Sequence, residues 1–172
     1  DAQAHGIDLE NVPAGASVYY GETALNASNY STAGSTTEIT KTDAGEYTVH
    51  YYITKAGYEP AVGSGTFTIN KAPLTVTAVP NSKFFDEEDP ALQFIVGDTQ
   101  NPEEEAAAFT GILQRADGVT PGDYAITQGT LALKDNGAFK AANYEINFTP
   151  SIFTTHKKSI AGVGILISGI VD

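Results

Sequence analysis

The nine residues NKAPLTVTA at positions 70–78 constrain this chain more than any others, because they join a strand-like run ending at Ile69 to another beginning at Leu74. Pro73 has no backbone donor and biases Ala72 toward an extended conformation, so the chain crosses this stretch as a short, stiff ribbon. Such a connection reads as a seam between modules strung in series. At 172 residues the chain has room for two small domains, since independent domains run from about 50 residues upward. The expected division is a module over residues 1–71, a second over 72–157 and an apolar tail over 158–172.

Period-two alternation is clearest in TDAGEYTVHYYI, where Tyr47, Val49, Tyr51 and Ile53 share one face and Thr48, His50, Tyr52 and Thr54 the other. A turn around residues 56–65 leads to a closing strand in which Phe67 and Ile69 alternate with Thr66, Thr68 and Asn70. Upstream, Ile7 with Leu9 and Val18 with Tyr20 suggest weaker strands between the turn-rich NVPAGAS and NASNYSTAGST. Past the seam, Leu74 and Val76 point inward against Thr75 and Thr77, and Leu92, Phe94 and Val96 follow the acidic turn FFDEEDP. A single short helix is expected at residues 102–109, where Pro102 suits a first helical position and Glu103 to Glu105 suit the positive end of a helix. Strands are then expected at residues 112–113, 124–126, 131–133 and 144–148.

Two internal echoes occur in the same order in both halves. DAGEYTV at 43–49 is matched by PGDYAI at 121–126, and GTFTINK at 65–71 by SIFTTHK at 151–157. The composition fits strands and turns: aromatics make up 10% and apolar residues 41%, with Thr, Tyr and Gly prominent. Zero cysteines exclude disulfides and thiolate metal sites. The formal charge of -12 would repel a phosphate backbone, so nucleic acid is not an expected partner. No basic segment followed by an apolar core opens the sequence.

The second half resembles the MBG or YDG-type repeat domains of bacterial cell-surface proteins. The resemblance runs over about residues 70–157 and rests on NKAPLTVTA, the acidic turn ending at Glu88-Asp89-Pro90-Ala91-Leu92, TGILQRADG, GDYAITQGTL and Asn143-Tyr144-Glu145-Ile146-Asn147-Phe148. Two departures stand out. The family's aromatic-glycine turn is Phe84-Phe85-Asp86 here, and an extra segment, LKDNGAFKA, precedes Asn143. The first half is similar, more loosely, to immunoglobulin-like modules of the same surface proteins through TDAGEYTVHY. The resemblance implies a non-enzymatic repeat of stalks and adhesin-like proteins outside the cell and rarely a ligand; the expected partner is a host or neighbouring-cell surface protein or glycan. The expected fold class is accordingly all-β: an immunoglobulin-like sandwich followed by a β-rich module with one short helix, for which a β-grasp arrangement is the rival.

Candidate chemistry is sparse. Asp86, Glu87, Glu88 and Asp89 form the densest oxygen cluster and are the calcium candidate, although their spacing is not that of an EF-hand and a solvated turn capped by Pro90 explains them as well. The histidines, His5, His50 and His156, fall in separate elements, and no nucleophile elbow or P-loop occurs. No catalytic residue and no cofactor other than calcium is expected. Tyr19, Tyr20, Tyr30, Tyr51, Tyr52 and Tyr58 could form a sugar-stacking platform or fill a sheet face. Tyr51 and Tyr58 are the candidate glycan contacts of the alternative reading, a carbohydrate-binding module of a secreted glycosidase. An internal isopeptide crosslink would draw on Lys41 or Lys71 with Asn70 or Asn147. The tail, SIAGVGILISGIVD, is shorter in its apolar run than the roughly 20 residues that span a bilayer. Its strand-length stretch at 164–168 is expected to dock by pairing, within the chain or in self-association with another copy.

Overall fold

The computed structural model of the protein describes residues 3–97, 99–160 and 162–164. Strand accounts for 43% of it and helix for 7%, which places the chain in the all-β class. The chain divides into two compact units, one of Asp1–Pro73 with Lys140–Glu145 and the other of Leu74–Phe139 with Ile146–Asp172.

The first unit is built on an antiparallel three-stranded meander, β1 (Ser17–Gly21), β2 (Gly45–Thr54) and β3 (Ala61–Ile69), in that spatial order. β2 is the alternating stretch of the sequence and lies at the centre. Its residues pair with β1 from Gly21↔His50 to Ser17↔Thr54 and with β3 from Gly45↔Ile69 to Ile53↔Ala61. On one face Val49 is 1% exposed. The opposite face is covered as well, since Tyr52, which alternates there with His50 and Thr54, is buried. A short helix, α1 (Tyr30–Ala33), lays Tyr30 flat on Tyr52, with ring centroids 4.5 Å apart and planes 9° apart, while Tyr19 meets Tyr30 edge-on at 4.9 Å. α1 is not legible as a helix because Asn26, Ser28 and Asn29 write a turn. The Asn26 carboxamide oxygen accepts from Ser28 N–H, and that of Asn29 accepts from Asn26 N–H. An immunoglobulin-like sandwich needs a second sheet. Among the described residues this unit forms a single three-stranded sheet.

In the second unit β4 (Ala72–Ala78) buries Leu74, Val76 and Ala78 on alternate positions, as the pattern predicts. It sits between β6 (Phe94–Val96) and β11 (Tyr144–Thr149). A four-stranded sheet runs in the order β5 (Asn81–Phe84), β12 (Ser151–His156), β9 (Gly122–Thr127) and β8 (Gln114–Arg115). β5 and β12 are parallel neighbours and the remaining pairs are antiparallel. A small ribbon, β7 (Ala108–Thr110) with β10 (Ala132–Lys134), completes the unit. Val76 and Ala78 from one sheet meet Ile126 and Phe153 from the other in one core with Leu113 and Leu131. The two sheets thus bury a common interior, sheet on sheet, where a β-grasp would pack a helix on a sheet.

The expected helix at 102–109 is shorter than the sequence suggests. α2 spans Pro102–Glu105, and Phe109 lies instead in β7. Asn101 caps it by accepting from Glu103 N–H and Glu104 N–H at 3.1 and 3.2 Å. Glu104 reaches back to Gln100 N–H and the Asn101 side chain, a reciprocal cap that accounts for its 3% exposure. Leu113, expected on a strand at 112–113, is buried in the core from a loop, and the adjoining β8 begins at Gln114. In the tail Ile160 and Val163 are exposed. The stretch 165–168, on which the docking expectation rests, lies outside the described residues.

Candidate functional site

The two echoes of the sequence turn out to be strand partners. In the first unit Tyr47 of β2 pairs with Phe67 of β3, and in the second Tyr124 of β9 pairs with Phe153 of β12. Each tyrosine hydroxyl donates to the carbonyl four residues upstream, Tyr47 to Asp43 at 3.0 Å and Tyr124 to Thr120 at 2.6 Å. Each ring also carries a cation, Lys41 Nζ at 5.6 Å from the Tyr47 centroid and the Arg115 guanidinium at 5.1 Å from that of Tyr124. Each cation is in turn fixed by a carboxylate: Lys41 by Glu22 and Arg115 by Asp89, both at 2.5 Å. One device of tyrosine, phenylalanine, cation and acid therefore recurs in both units.

The calcium candidate is arranged as a turn. Asp89 is held by Arg115 and by Lys83, the latter at 2.6 Å, and these two partners keep its carboxyl below the usual carboxylate range. Glu87 accepts from Phe84 N–H at 2.9 Å and Asp86 adopts φ +67°. Among the described residues no three His, Asp or Glu side chains converge as metal ligands. Of the four carboxylates, Asp89 is thus engaged by two cationic side chains.

Lysine and asparagine do meet, though not in the combinations that the sequence suggests for an isopeptide. Lys140 Nζ contacts both Asp43 oxygens at 2.9 and 2.8 Å, and Asn143 donates to Asp43 at 2.9 Å while accepting from Ala44 N–H at 2.7 Å. Asn143 and Lys140 together lower the Asp43 pKa. An ionised, half-exposed carboxylate does not supply the neutral acid in an apolar pocket that such a crosslink needs. Lys41, for its part, is paired with Glu22.

The tyrosines separate into two sets. Tyr19, Tyr30 and Tyr52 form the cluster beneath α1, whereas Tyr51 and Tyr58 both line a groove of about 660 Å³. Its other walls come from residues 7–13, the end of β2, the turn at Lys55 and Glu59, and the start of β3. Tyr51 lies across its partner Gly63, where a Cβ would stand 2.5 Å from the Tyr51 hydroxyl. At Gly65 a Cβ would stand 2.8 Å from Ile7. The glycines of the GSG triplet thus make the room that the groove floor requires. Tyr58 is 61% exposed at a turn closed by Tyr58 N–H to Lys55 C=O at 3.1 Å, with Lys55 Nζ 4.6 Å from its ring centroid. Asp8, Glu10 and Glu59 reach the same groove. The alternation of Ile7 and Leu9 with Asp8 and Glu10 signals this wall in the sequence, but as a strand rather than as the side of a groove. Residues 6–10 run without strand pairing.

The second unit thus combines two facing sheets with the tyrosine device that the first unit also carries. Residues 74–154 match the family model of the MBG domain, YGX type, and this part of the chain is an MBG domain. Domains of this kind are surface-associated repeat modules of bacterial proteins and are generally non-catalytic. No curated protein and no solved structure matches the chain. No helix among the described residues is long and apolar enough to cross a membrane.

Proposed function

We propose that the protein is a non-enzymatic, structural and adhesive repeat segment of a bacterial surface protein, displayed outside the cell. The observation that carries this reading is the recurrence of one scaffold device, Tyr47–Phe67 with Lys41 and Tyr124–Phe153 with Arg115, in two successive units. Repetition of a framework without repetition of a reactive constellation is what a spacer or display element needs. The MBG match over residues 74–154 supports the same reading. The surrounding partner is then a host or neighbouring-cell surface protein or glycan, and the apolar tail is a route to self-association.

Protease treatment of intact producing cells tests the placement. Fragments containing residues 3–160 should be released or degraded while a cytoplasmic marker stays intact. Protection of the segment until the cells are lysed would overturn the proposal.

A further inference from the structure

We infer that the groove of the first unit is a carbohydrate site that takes a hexopyranose oligosaccharide. The inference concerns a unit outside the MBG match and is independent of the surface-repeat reading. Its volume of about 660 Å³ falls within the range of small-ligand sites, about 300–1,000 Å³. A sugar ring offers an apolar C–H face and a rim of hydroxyl donors. The groove offers the complement: two tyrosine rings, Tyr51 seated on Gly63 and Tyr58 exposed at 61%, with the carboxylates of Asp8, Glu10 and Glu59 as acceptors. Among the described residues none of these three carboxylates forms an ion pair with a lysine or arginine, so their lone pairs are available to a ligand.

A peptide strand is a poorer occupant. The floor is a sheet face with Tyr51 on β2 and Gly65 on β3, so an occupant there lies over side chains rather than along a strand edge. Nucleic acid is disfavoured by three carboxylates against one lysine, Lys55. The excess of carboxylates also accommodates an amino sugar with its amine free, which shares the hexopyranose ring with neutral sugars.

The test is a titration of the isotope-labelled full chain, followed by backbone amide shifts, with cellotetraose, tetra-N-acetylchitotetraose and its fully deacetylated counterpart. Oligolysine serves as the competing probe. Saturable shifts confined to the groove, including Tyr51, Tyr58 and Ser64, are expected with at least one saccharide. Tyr58→Ala, at an exposed turn, should weaken that binding at least about tenfold while the remaining amide spectrum is unchanged. Binding of the deacetylated tetramer alone, with a similar loss in Glu59→Gln, assigns an amine to the carboxylates, whereas binding of the neutral or acetylated tetramers assigns hydroxyls. The inference is overturned by the absence of saturable groove shifts with every saccharide up to about 10 mM, a concentration that detects even millimolar affinity. It is equally overturned by affinity that survives Tyr58→Ala, or by oligolysine filling the groove where the saccharides do not.

Discussion

Asp86 occupies the place where the family's aromatic-glycine turn has its glycine, and it adopts φ +67°, a left-handed conformation that disfavours residues with a Cβ. The turn is closed by Glu87 N–H to Phe84 C=O at 3.2 Å, which puts Asp86 third of four, the position where a positive φ selects glycine. Asp tolerates this conformation better than most residues but is still strained in it. Asp86→Gly should therefore stabilise the second unit, by about 0.5–1 kcal/mol after the greater entropy of glycine in the unfolded chain is deducted. Chemical denaturation monitored by tyrosine fluorescence would read it as a higher midpoint with an unchanged slope, and a lower midpoint would refute the argument. Three residues further on, Asp89 sets an acid sensitivity. Arg115 and Lys83 hold its folded pKa below the unfolded value, so the contribution is present above the ordinary carboxylate range, about pH 4, and is lost as pH falls through the lower folded value. Asp89 is 40% exposed, which keeps the effect modest through solvent screening. Asp89→Asn should accordingly lower the melting temperature at pH 7 and flatten its decline between about pH 5 and 2.

At the scale of elements, the tyrosine device ties each central strand to the loop that precedes it. Tyr47→Phe and Tyr124→Phe each remove one hydroxyl-to-carbonyl hydrogen bond and leave the ring under its cation. Each should cost about 1 kcal/mol, with the larger loss at Tyr124, whose contact is shorter. Parallel thermal melts of the two variants test this, and equal stability to the parent chain in both would mean that the hydroxyls gain no more from the carbonyls than from water. Much of the element layer is legible because period-two alternation reports burial directly: β2, β4, β9 and β11 all lie where Tyr47, Leu74, Tyr124 and Tyr144 suggest them. β5 escapes the pattern because Asn81-Ser82-Lys83 alternates nothing apolar with polar; it is a strand by pairing with β12. Helix α1 and the burial of Tyr52 are illegible for a related reason, since the face of a strand is hidden by whatever loop returns over it. The groove is half legible: Tyr51 and Tyr58 stand out as aromatics, but their meeting with Asp8 and Glu10 depends on a path through loops that no local pattern encodes.

For the whole molecule, the division of the chain does not follow a single cut in the sequence. The first unit takes in residues 140–145, and their contacts with it are specific: Lys140 and Asn143 both engage Asp43, and Asn143 also satisfies Ala44 N–H. A fragment of residues 1–73 should hence be less stable than the same unit within the full chain. Asp43→Asn in the full chain should reproduce some of that loss. Hydrogen exchange at Ala44 reports it locally, and unchanged protection in the fragment would show that water replaces Asn143 without penalty. A different consequence follows from strand direction when the chain is put under tension. In the β2–β3 pair Gly45 and Ile69 face each other, so a pull applied at those two residues breaks the hydrogen bonds in succession, a single register step at a time. In the β5–β12 pair, parallel from Asn81↔Phe153 to Phe84↔His156, a pull applied at Asn81 and His156 acts at opposite ends, so the bonds are sheared together. Force spectroscopy with attachment points at residues 45 and 69 should find unzipping at low force, and with points at residues 81 and 156 an abrupt yield at a higher one, so resistance to tension depends on which strands take the load.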